Sequence, residues 1–252
     1  MVARALSFGT VAEAYERYRP EYPQELLEFV QAYAGVPIRT ALEIGAGTGK
    51  ATRLFARAGI AVTATDPDAA MLAELRKRVP GVTTVQAPFE DLPSDRSYDL
   101  VYSAAALHWT NPDGRWERMA KLVRPGGVFA SFAVPSELAD PAVREAVRQA
   151  RTPYVEDEGV PPPDGSSADG PMQWPGTELE RSDAFTDVRQ SLIPNNLTIS
   201  ADHYIGHLST ISAYLMLQPA DRDEVFRRIR LVLPETVEVA SEVHLHLARR
   251  VP

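Results

Sequence analysis

The sequence predicts an α/β fold built on a mostly parallel β-sheet. Between residues 39 and 134, short runs rich in β-branched residues alternate with amphipathic stretches, as they do where parallel strands are joined by crossover helices. A glycine-rich turn directly follows the first of these runs, and an acidic residue ends the second. Because the carboxyl ends of parallel strands meet at one edge of a sheet, both features predict a ligand site at that edge.

The hydrophobic pattern assigns the core elements in order. Strands are predicted at residues 40–44, 61–66, 83–86, 99–103 and 127–134, with helices between them at 50–58, 69–78 and 115–123. The second helix places Met71, Leu72 and Leu75 on one apolar face. This alternation of strand and helix is the βαβ arrangement of a parallel sheet.

Further elements flank this core. Their predicted positions are helices at 23–33, 141–150, 202–217 and 221–233, and strands at 187–193 and 237–251. Pro23 is well placed at the start of the first flanking helix. Asp221 is predicted to cap the last helix, with Glu224 at its third position. Residues 156–176, rich in Pro, Gly, Asp and Ser, predict a long loop.

Composition excludes several classes of protein. The chain has 252 residues, of which 44% are hydrophobic and 24% charged, and this composition predicts one large globular domain rather than a disordered chain. A net charge of −8 argues against nucleic acid as a partner. With no cysteine, thiolate catalysis and Cys-bound zinc are excluded. No apolar run reaches the length of a membrane span, so we expect no membrane partner and a cytoplasmic protein.

The glycine-rich turn covers residues 45–49. Such a turn lets backbone N–H groups approach a ligand closely. A P-loop would need Gly at position 44 and Ser or Thr at position 51, where the sequence has Ile44 and Ala51. A dinucleotide fingerprint would need Gly in place of Lys50 and is therefore disfavoured. A G-x-G-x-G turn preceded by the acidic Glu43 remains.

Asp66 ends the second predicted strand, nineteen residues beyond Gly47. A carboxylate in this position can accept two hydrogen bonds from a ribose diol. The alternative is a helix cap, because Asp66, Pro67 and Asp68 also stand at the start of a helix. Since the glycine turn ends the neighbouring strand, the combination favours the ribose-binding role.

Several motifs occur in order along the chain. They are Glu43 to Gly49, Asp66-Pro67 followed by Met71, residues 86–93, residues 98–103 and Arg124-Pro125-Gly126-Gly127. With them the sequence resembles the class I S-adenosylmethionine-dependent methyltransferases that act on small molecules. Residues 8–23, which include Tyr18-Arg19-Pro20, are similar to the branch containing trans-aconitate methyltransferases and many natural-product enzymes.

The resemblance implies a fold and a domain plan. The fold would be a Rossmann-like seven-stranded sheet, mostly parallel with an antiparallel strand near the C-terminus, with helices on both faces and a helical or loop lid. Residues 1–252 would form a single domain with four parts. These are an N-terminal helical cap at 1–36, a cofactor-binding core at 37–135, a variable lid or insertion at 136–183 and an acceptor side at 184–252.

The resemblance also implies a cofactor, S-adenosyl-L-methionine, which leaves as S-adenosyl-L-homocysteine. The glycine turn would contact the methionine moiety through its backbone, Glu43 would orient it and Asp66 would bind the ribose. Arg19, beside Tyr18, would grip the carboxylate of the cofactor in a charge-assisted hydrogen bond. The remaining predicted cofactor residues are Gly45, Ala46, Gly47 and Gly49 in the turn, Pro67, Met71, Ala87, Pro88 and Phe89 around the adenine, and Ser103 and His108. Core packing is the alternative role for Met71 and Phe89.

The acceptor side is less defined by sequence. Residues 103–106 are small where DNA amino-methyltransferases carry a polar-Pro-Pro-aromatic tetrad, so nucleobase amines are excluded as acceptors. His108 is either a general base, since imidazole titrates near neutral pH, or a wall of the cofactor pocket. The predicted substrate-binding residues are Trp109, Trp174, His203 and His207. The last two share a helical face at i, i+4 spacing, but no further ligand accompanies them, so no metal is predicted.

The predicted function is methyl transfer from S-adenosylmethionine to a carboxylate, hydroxyl, amine or carbon of a small molecule. Two alternatives stay open: a cofactor-binding protein without catalysis, and a nucleotide-dependent enzyme on a similar fold. We expect residues 8–22 and 154–174 to form a lid, because a reactive sulfonium is best used where water is excluded. His244 and His246 share one strand face, which we expect to be exposed. The oligomeric state is not predicted.

Overall fold

The computed structural model describes residues 8–156, 158, 161–167 and 170–252. Parts of two predictions, the N-terminal cap at 1–36 and the lid at 154–174, therefore lie outside the described residues. The chain divides into two compact units. The larger unit comprises Glu21–Ala133, Pro161–Ile193 and Val243–Pro252, and the smaller unit Met1–Pro20, Val134–Val160 and Pro194–Glu242.

Ten strands and ten α-helices are labelled in chain order. The strands are β1 (Thr40–Ile44), β2 (Ala61–Asp66), β3 (Thr83–Gln86), β4 (Tyr98–Ala104), β5 (Val123–Ala133), β6 (Glu137–Leu138), β7 (Phe185–Ile193), β8 (Leu197–Ser200), β9 (Thr236–Ala240) and β10 (Val243–Arg250). The helices are α1 (Ala12–Tyr18), α2 (Gln24–Ala34), α3 (Lys50–Arg57), α4 (Ala69–Arg78), α5 (Arg115–Leu122), α6 (Pro141–Arg151), α7 (Gly176–Glu180), α8 (Ala201–Leu208), α9 (Ser212–Leu215) and α10 (Pro219–Val232). Both counts refer to the described residues.

The larger unit contains a seven-stranded sheet with the order β3-β2-β1-β4-β5-β10-β7. The pairs from β3 to β5 are parallel, and β10 runs antiparallel to both of its neighbours. The predicted fold class, a mostly parallel sheet with one antiparallel strand near the C-terminus, is confirmed. The chain leaves β1 for β2 on one side and later returns to β4 on the other, so the carboxyl end of β1 is a topological switch point.

Aromatic packing fixes α3 against the middle of this sheet. The ring of Phe55 stacks on that of Tyr102, with centroids 4.4 Å apart, and lies 6.3 Å from the ring of Phe132. Phe55 and Tyr102 are fully buried. Because α3 begins directly after the glycine turn, this packing holds the turn at the edge of the sheet.

The smaller unit is built on a separate antiparallel sheet of order β6-β9-β8. Its buried core includes Tyr204, Tyr214 and Ile229, from α8, α9 and α10. Sequence analysis did not predict this sheet, because β6 has two residues and β8 has four, too few for a hydrophobic period. The run predicted as one strand at 237–251 contributes one strand to each sheet.

Two helix predictions need correction. The predicted helix at 202–217 is divided into α8 and α9. The last helix begins at Pro219, with Gln218 as the residue before it, so Asp221 lies within its first turn and does not cap it. Proline is favoured at the first helical position because it lacks the N–H that would be unpaired there. Within the described residues, every helix is too short or too polar to cross a membrane.

Candidate active site

The glycine turn at the end of β1 has a backbone that favours glycine at three positions. Gly45, Gly47 and Gly49 have φ angles of 69°, 55° and 89°. A Cβ on Gly45 would lie less than 3.0 Å from the Cβ of Ala106, and one on Gly49 would lie 2.8 Å from Leu75. A Cβ on Gly47 would meet only the end of a methionine side chain, at 4.0 Å. Gly45 and Gly49 are therefore required by packing, whereas Gly47 is the least crowded glycine of the turn, with only the end of the Met71 side chain near its added Cβ.

Asp66, at the end of β2, is hydrogen-bonded to the glycine turn. Its Oδ2 accepts a hydrogen bond from the N–H of Gly47 at 2.9 Å, and its Oδ1 accepts one from the N–H of Asp68 at 2.8 Å. Asp68, not Asp66, caps α4, since its carboxylate accepts from two N–H groups of the first turn. The alternative role of Asp66 as a helix cap is therefore wrong. Each carboxylate oxygen retains an acceptor site for a ligand hydroxyl.

Glu43 lies on β1 immediately before the turn and is fully buried. Its Oε2 accepts hydrogen bonds from the hydroxyls of Thr52, at 2.5 Å, and Tyr102, at 2.9 Å, whereas its Oε1 has no hydrogen-bond partner. Burial raises the pKa of Glu43 to about 8, against the opposing effect of these hydroxyls. Burial also raises the pKa of Asp66. The hydrogen bonds that its carboxylate accepts from the N–H groups of Asp68 and Gly47 oppose this increase.

The end of β4 completes this edge of the sheet. The Ser103 hydroxyl donates to the carbonyl of Ile44 at 3.1 Å and so ties β4 to the start of the glycine turn. Ala105 has a φ angle of 53°, unusual for a residue with a side chain, and turns the chain so that Ala106 packs on Gly45. His108 and Trp109 follow in a short 3-10 helix, with ring centroids 4.5 Å apart. Sequence reasoning missed Ala105 and Ala106, which only a run of alanines marks.

Of the residues predicted around the adenine, Met71 lies beside the turn. Met71 is buried on α4, and the position of its Cε limits the space above Gly47. Ala87 packs against the core cluster that includes the buried Phe89. The guanidinium of Arg118 lies 5.6 Å from the centre of the Phe89 ring. Phe89 thus has a packing role, and its contact with a cofactor stays a prediction, as do those of Pro67 and Pro88.

A buried polar network next to this edge was not predicted. Arg115 is 1% exposed and donates to the hydroxyl and carbonyl of Thr110 and to Glu178, at 2.8 to 3.0 Å. The indole of Trp116 also donates to Glu178, at 2.9 Å. The Arg115 guanidinium lies 5.4 Å from the ring of Trp174. Because Arg115 and Glu178 are 63 residues apart, no local pattern reveals their pairing.

Four predicted site residues come together in the smaller unit. The ring of Tyr18 meets that of His203 edge-on at 5.2 Å, and Arg19 donates to the hydroxyl and carbonyl of Thr210 at 2.8 and 2.9 Å. His207 is buried, and burial followed by the positive charge of Arg19 lowers its pKa to about 3. The predicted grip of Arg19 on a cofactor carboxylate stays a prediction.

The expectation that His244 and His246 lie on an exposed face is wrong for His246. This side chain is 3% exposed and shares a 3.0 Å hydrogen bond with Gln190, and burial lowers its pKa to about 4. His244 forms a 3.0 Å hydrogen bond with Gln173. Gln173 comes from the predicted loop and contacts this face of β10. Among the described residues, no three His, Asp or Glu side chains are placed to bind a metal ion.

The sheet order, the glycine turn after β1 and the acidic residue at the end of β2 match what the resemblance to class I S-adenosylmethionine-dependent methyltransferases implies for the ligand-binding edge. Comparison with known families agrees, because residues 42–131 match the methyltransferase domain family. Over these residues the chain is therefore similar to a methyltransferase domain.

Individual relatives support the same assignment. An uncharacterised methyltransferase of Mycobacterium tuberculosis is 40% identical over 124 residues, covering 49% of this chain and 50% of the relative. A trans-aconitate 2-methyltransferase of an Acidovorax species is 30% identical over 131 residues, covering 51% and 50%. The chain thus spans about half the length of these curated relatives.

A solved structure matches over nearly the whole chain. It is a proposed type II methyltransferase from Anaeromyxobacter dehalogenans, 25% identical, with a TM-score of 0.65, covering 93% of this chain and 99% of that one. The fold likeness thus extends well beyond the 90 or so residues of the family match.

Proposed function

We propose that this protein transfers a methyl group from S-adenosylmethionine to a small molecule. The observation that carries the proposal is the cluster of Glu43, Gly47 and Asp66 at the switch point of the sheet. Glu43 has a buried carboxyl oxygen without a partner among the described residues, and Gly47 is the least crowded glycine of the turn. Both features fit a ligand with an amino-acid end and a ribose, because such a ligand brings donors to acceptors that the chain leaves unsatisfied.

In the proposed mechanism the chain binds, orients and shields. Asp66 accepts hydrogen bonds from ribose hydroxyls, the turn presents its backbone, and Glu43 pairs with a donor of the methionine moiety. When bound, the cofactor supplies a methyl group on a sulfonium, whose departure leaves a neutral thioether. Most of the rate enhancement then comes from proximity and alignment. His108 either removes a proton from an acceptor or forms a wall of the pocket. The hydrogen bond from the Ser103 hydroxyl to the carbonyl of Ile44 holds the end of β4 next to the glycine turn.

The described residues constrain the methyl acceptor less than they constrain the cofactor. One relative is named for trans-aconitate, which supports a small-molecule acceptor. The acceptor group is a carboxylate, hydroxyl, amine or carbon. In the larger unit we assign acceptor contacts to Trp109 and Trp174, and in the smaller unit to His203 and His207. The net charge of −8 supports the absence of nucleic acid among the partners. We further propose a cytoplasmic protein whose 252 residues act as one methyltransferase domain.

Calorimetric titration tests the cofactor, and a transfer assay tests the reaction. We expect S-adenosylmethionine and S-adenosylhomocysteine to bind and NADH not to bind. Incubation with methyl-labelled cofactor and a panel of alcohols, phenols, carboxylic acids and amines should then yield a labelled product. Binding of NADH alone would contradict the proposal. Binding of the cofactor with no transfer to any member of the panel would instead favour a binding protein without catalysis.

A further inference from the structure

The smaller unit contains a pocket of its own. It has a volume of about 30 Å³, enough for about two water molecules or one small functional group. Its lining comes from the end of α1, from α8 and from the small sheet. The lining residues are Tyr18, Pro20, Ser136, Leu197, Ile199, His203, Tyr204, His207, Val239 and Ser241. Residues separated by more than 200 positions in the sequence thus meet around one space.

One lining hydroxyl has no partner within the protein. Ser241 is fully buried, and its Oγ forms no hydrogen bond with any described residue. A buried hydroxyl without a partner is unfavourable, whereas a ligand atom that pairs with it restores the lost hydrogen bond. A hydroxyl can both donate and accept, so it pairs well with another hydroxyl.

Two further polar side chains of the lining, His207 and Tyr204, are uncharged near neutral pH. His207 is buried, and its ring donates to the carbonyl of Tyr18. Its pKa is lowered to about 3, so near neutral pH it offers a neutral nitrogen as an acceptor. Burial raises the pKa of Tyr204, which therefore keeps its phenol proton. Apolar side chains from β8 and β9 complete the walls.

Charged groups lie near the pocket but do not line it. Arg19 directs two N–H groups to Thr210 and lies 5.1 Å from the centre of the Tyr15 ring. Glu158 accepts a hydrogen bond from Tyr214. A carboxylate or an ammonium ion in this pocket would lose its hydration without contacting an Arg, Lys, Asp or Glu side chain, since none is among the lining residues.

We propose that this pocket binds the uncharged hydroxyl end of a small molecule and discriminates against carboxylates and amines of the same size. Ser241 and His207 would form hydrogen bonds with that hydroxyl, and the apolar walls would contact the carbon next to it. The preference of the pocket for a neutral hydroxyl follows from the lining alone and does not depend on the proposed function.

The test uses three probes of matched size: propan-1-ol, propionate and propylammonium. The chain has five histidines, of which His203 and His207 line the pocket and the other three lie in the larger unit. Their ring resonances in NMR spectra therefore report binding and also supply internal controls. We expect propan-1-ol to shift the two pocket resonances in a saturable manner and the other three to stay unchanged. Propionate and propylammonium should bind at least fivefold more weakly.

Substitutions locate the site. Ser241→Ala removes a hydroxyl that has no partner within the chain, so the fold should be retained and the affinity for propan-1-ol should fall at least fivefold. Ser209→Ala is the matched control, because the Ser209 hydroxyl donates to the carbonyl of Gly206 and does not line the pocket. This control should keep the affinity of the unmodified chain.

Three results would overturn the inference. They are equal or tighter binding of either charged probe, an unchanged affinity in Ser241→Ala, and no saturable shift, which would mean that the pocket holds water only. Titration of the same samples with S-adenosylmethionine keeps the two proposals separate. Retained cofactor binding without the propan-1-ol shift contradicts this inference alone, whereas absent cofactor binding contradicts the proposed function.

Discussion

The cofactor edge of the larger unit and the pocket of the smaller unit are built in different ways. The edge depends on residues close in sequence, since Glu43, the glycine turn and Asp66 lie within 24 positions, and its contacts are largely made by backbone atoms. The pocket brings together Tyr18, His207 and Ser241, which are distant in sequence. We therefore expect the cofactor edge to tolerate few added atoms. The pocket, in contrast, can change its ligand preference when one lining side chain is replaced.

The largest effect should come from the glycine turn. Gly45→Ala should lower the free energy of unfolding by about 4 kcal/mol, because it adds overpacking to the strain of a positive φ angle. Gly59→Ala is the matched control. Gly59 also has a positive φ, of 80°, but no atom lies within 4 Å of its added Cβ, so about 1 kcal/mol is expected. Urea denaturation measures both, and equal losses would show that packing against Ala106 contributes nothing.

The next effect is a pH dependence caused by Glu43. Its pKa is raised to about 8 in the folded chain, so the folded state keeps a proton that the unfolded state releases above pH 4.5. The free energy of unfolding should therefore fall as pH rises from 5 to 8, by roughly 3 kcal/mol more than in Glu43→Gln. Denaturation of both proteins without cofactor at the two pH values isolates this group. Parallel curves would mean that Glu43 is ionised in the fold.

A smaller effect separates ligand binding from helix capping. Asp66→Ala should weaken S-adenosylmethionine binding by roughly 2 kcal/mol, since a charge-assisted pair of hydrogen bonds is lost. Asp68→Ala removes only the cap of α4, so it should lower stability by about 1 kcal/mol and leave cofactor affinity unchanged. Calorimetry on the folded variants checks both. Unchanged affinity in Asp66→Ala would exclude the ribose contact.

The smallest effect concerns two serines of the smaller unit. Ser200 caps α8 by accepting from the N–H of His203 at 3.1 Å, so Ser200→Ala should cost about 1 kcal/mol of stability. Ser241→Ala should leave stability unchanged or slightly raised, because its hydroxyl has no partner to lose. Thermal denaturation of Ser200→Ala and Ser241→Ala measures both changes in stability. A loss in Ser241→Ala as large as that in Ser200→Ala would reveal a structural role for that hydroxyl.

The sequence alone predicted the core of the larger unit well. The bounds of β1, β2, β3 and α4 agree with prediction residue for residue, because glycine or proline follows the end of each element within two residues. The glycine turn and Asp66 were predicted for the same reason. The antiparallel order of β5, β10 and β7 was expected only through resemblance, since pairings between strands this distant leave no local pattern.

The smaller unit could be predicted only in fragments. The i, i+4 spacing placed His203 and His207 on one helix face, and the structure brings both to the pocket. Nothing nearby in sequence marked Ser241, which follows β9 and has no local partner. The pairing of Arg115 with Glu178 was hidden for the same reason. Long-range side-chain contacts depend on tertiary packing, which a period of two or 3.6 residues does not encode.

A structure of the protein with S-adenosylhomocysteine tests the central claim most directly, because it locates the cofactor on the chain. The account predicts the ribose hydroxyls within hydrogen-bond distance of Asp66, the methionine moiety against the glycine turn, and a ligand donor on the Oε1 of Glu43. Binding of the nucleoside elsewhere, with Asp66 and Glu43 keeping only the partners described above, would contradict it.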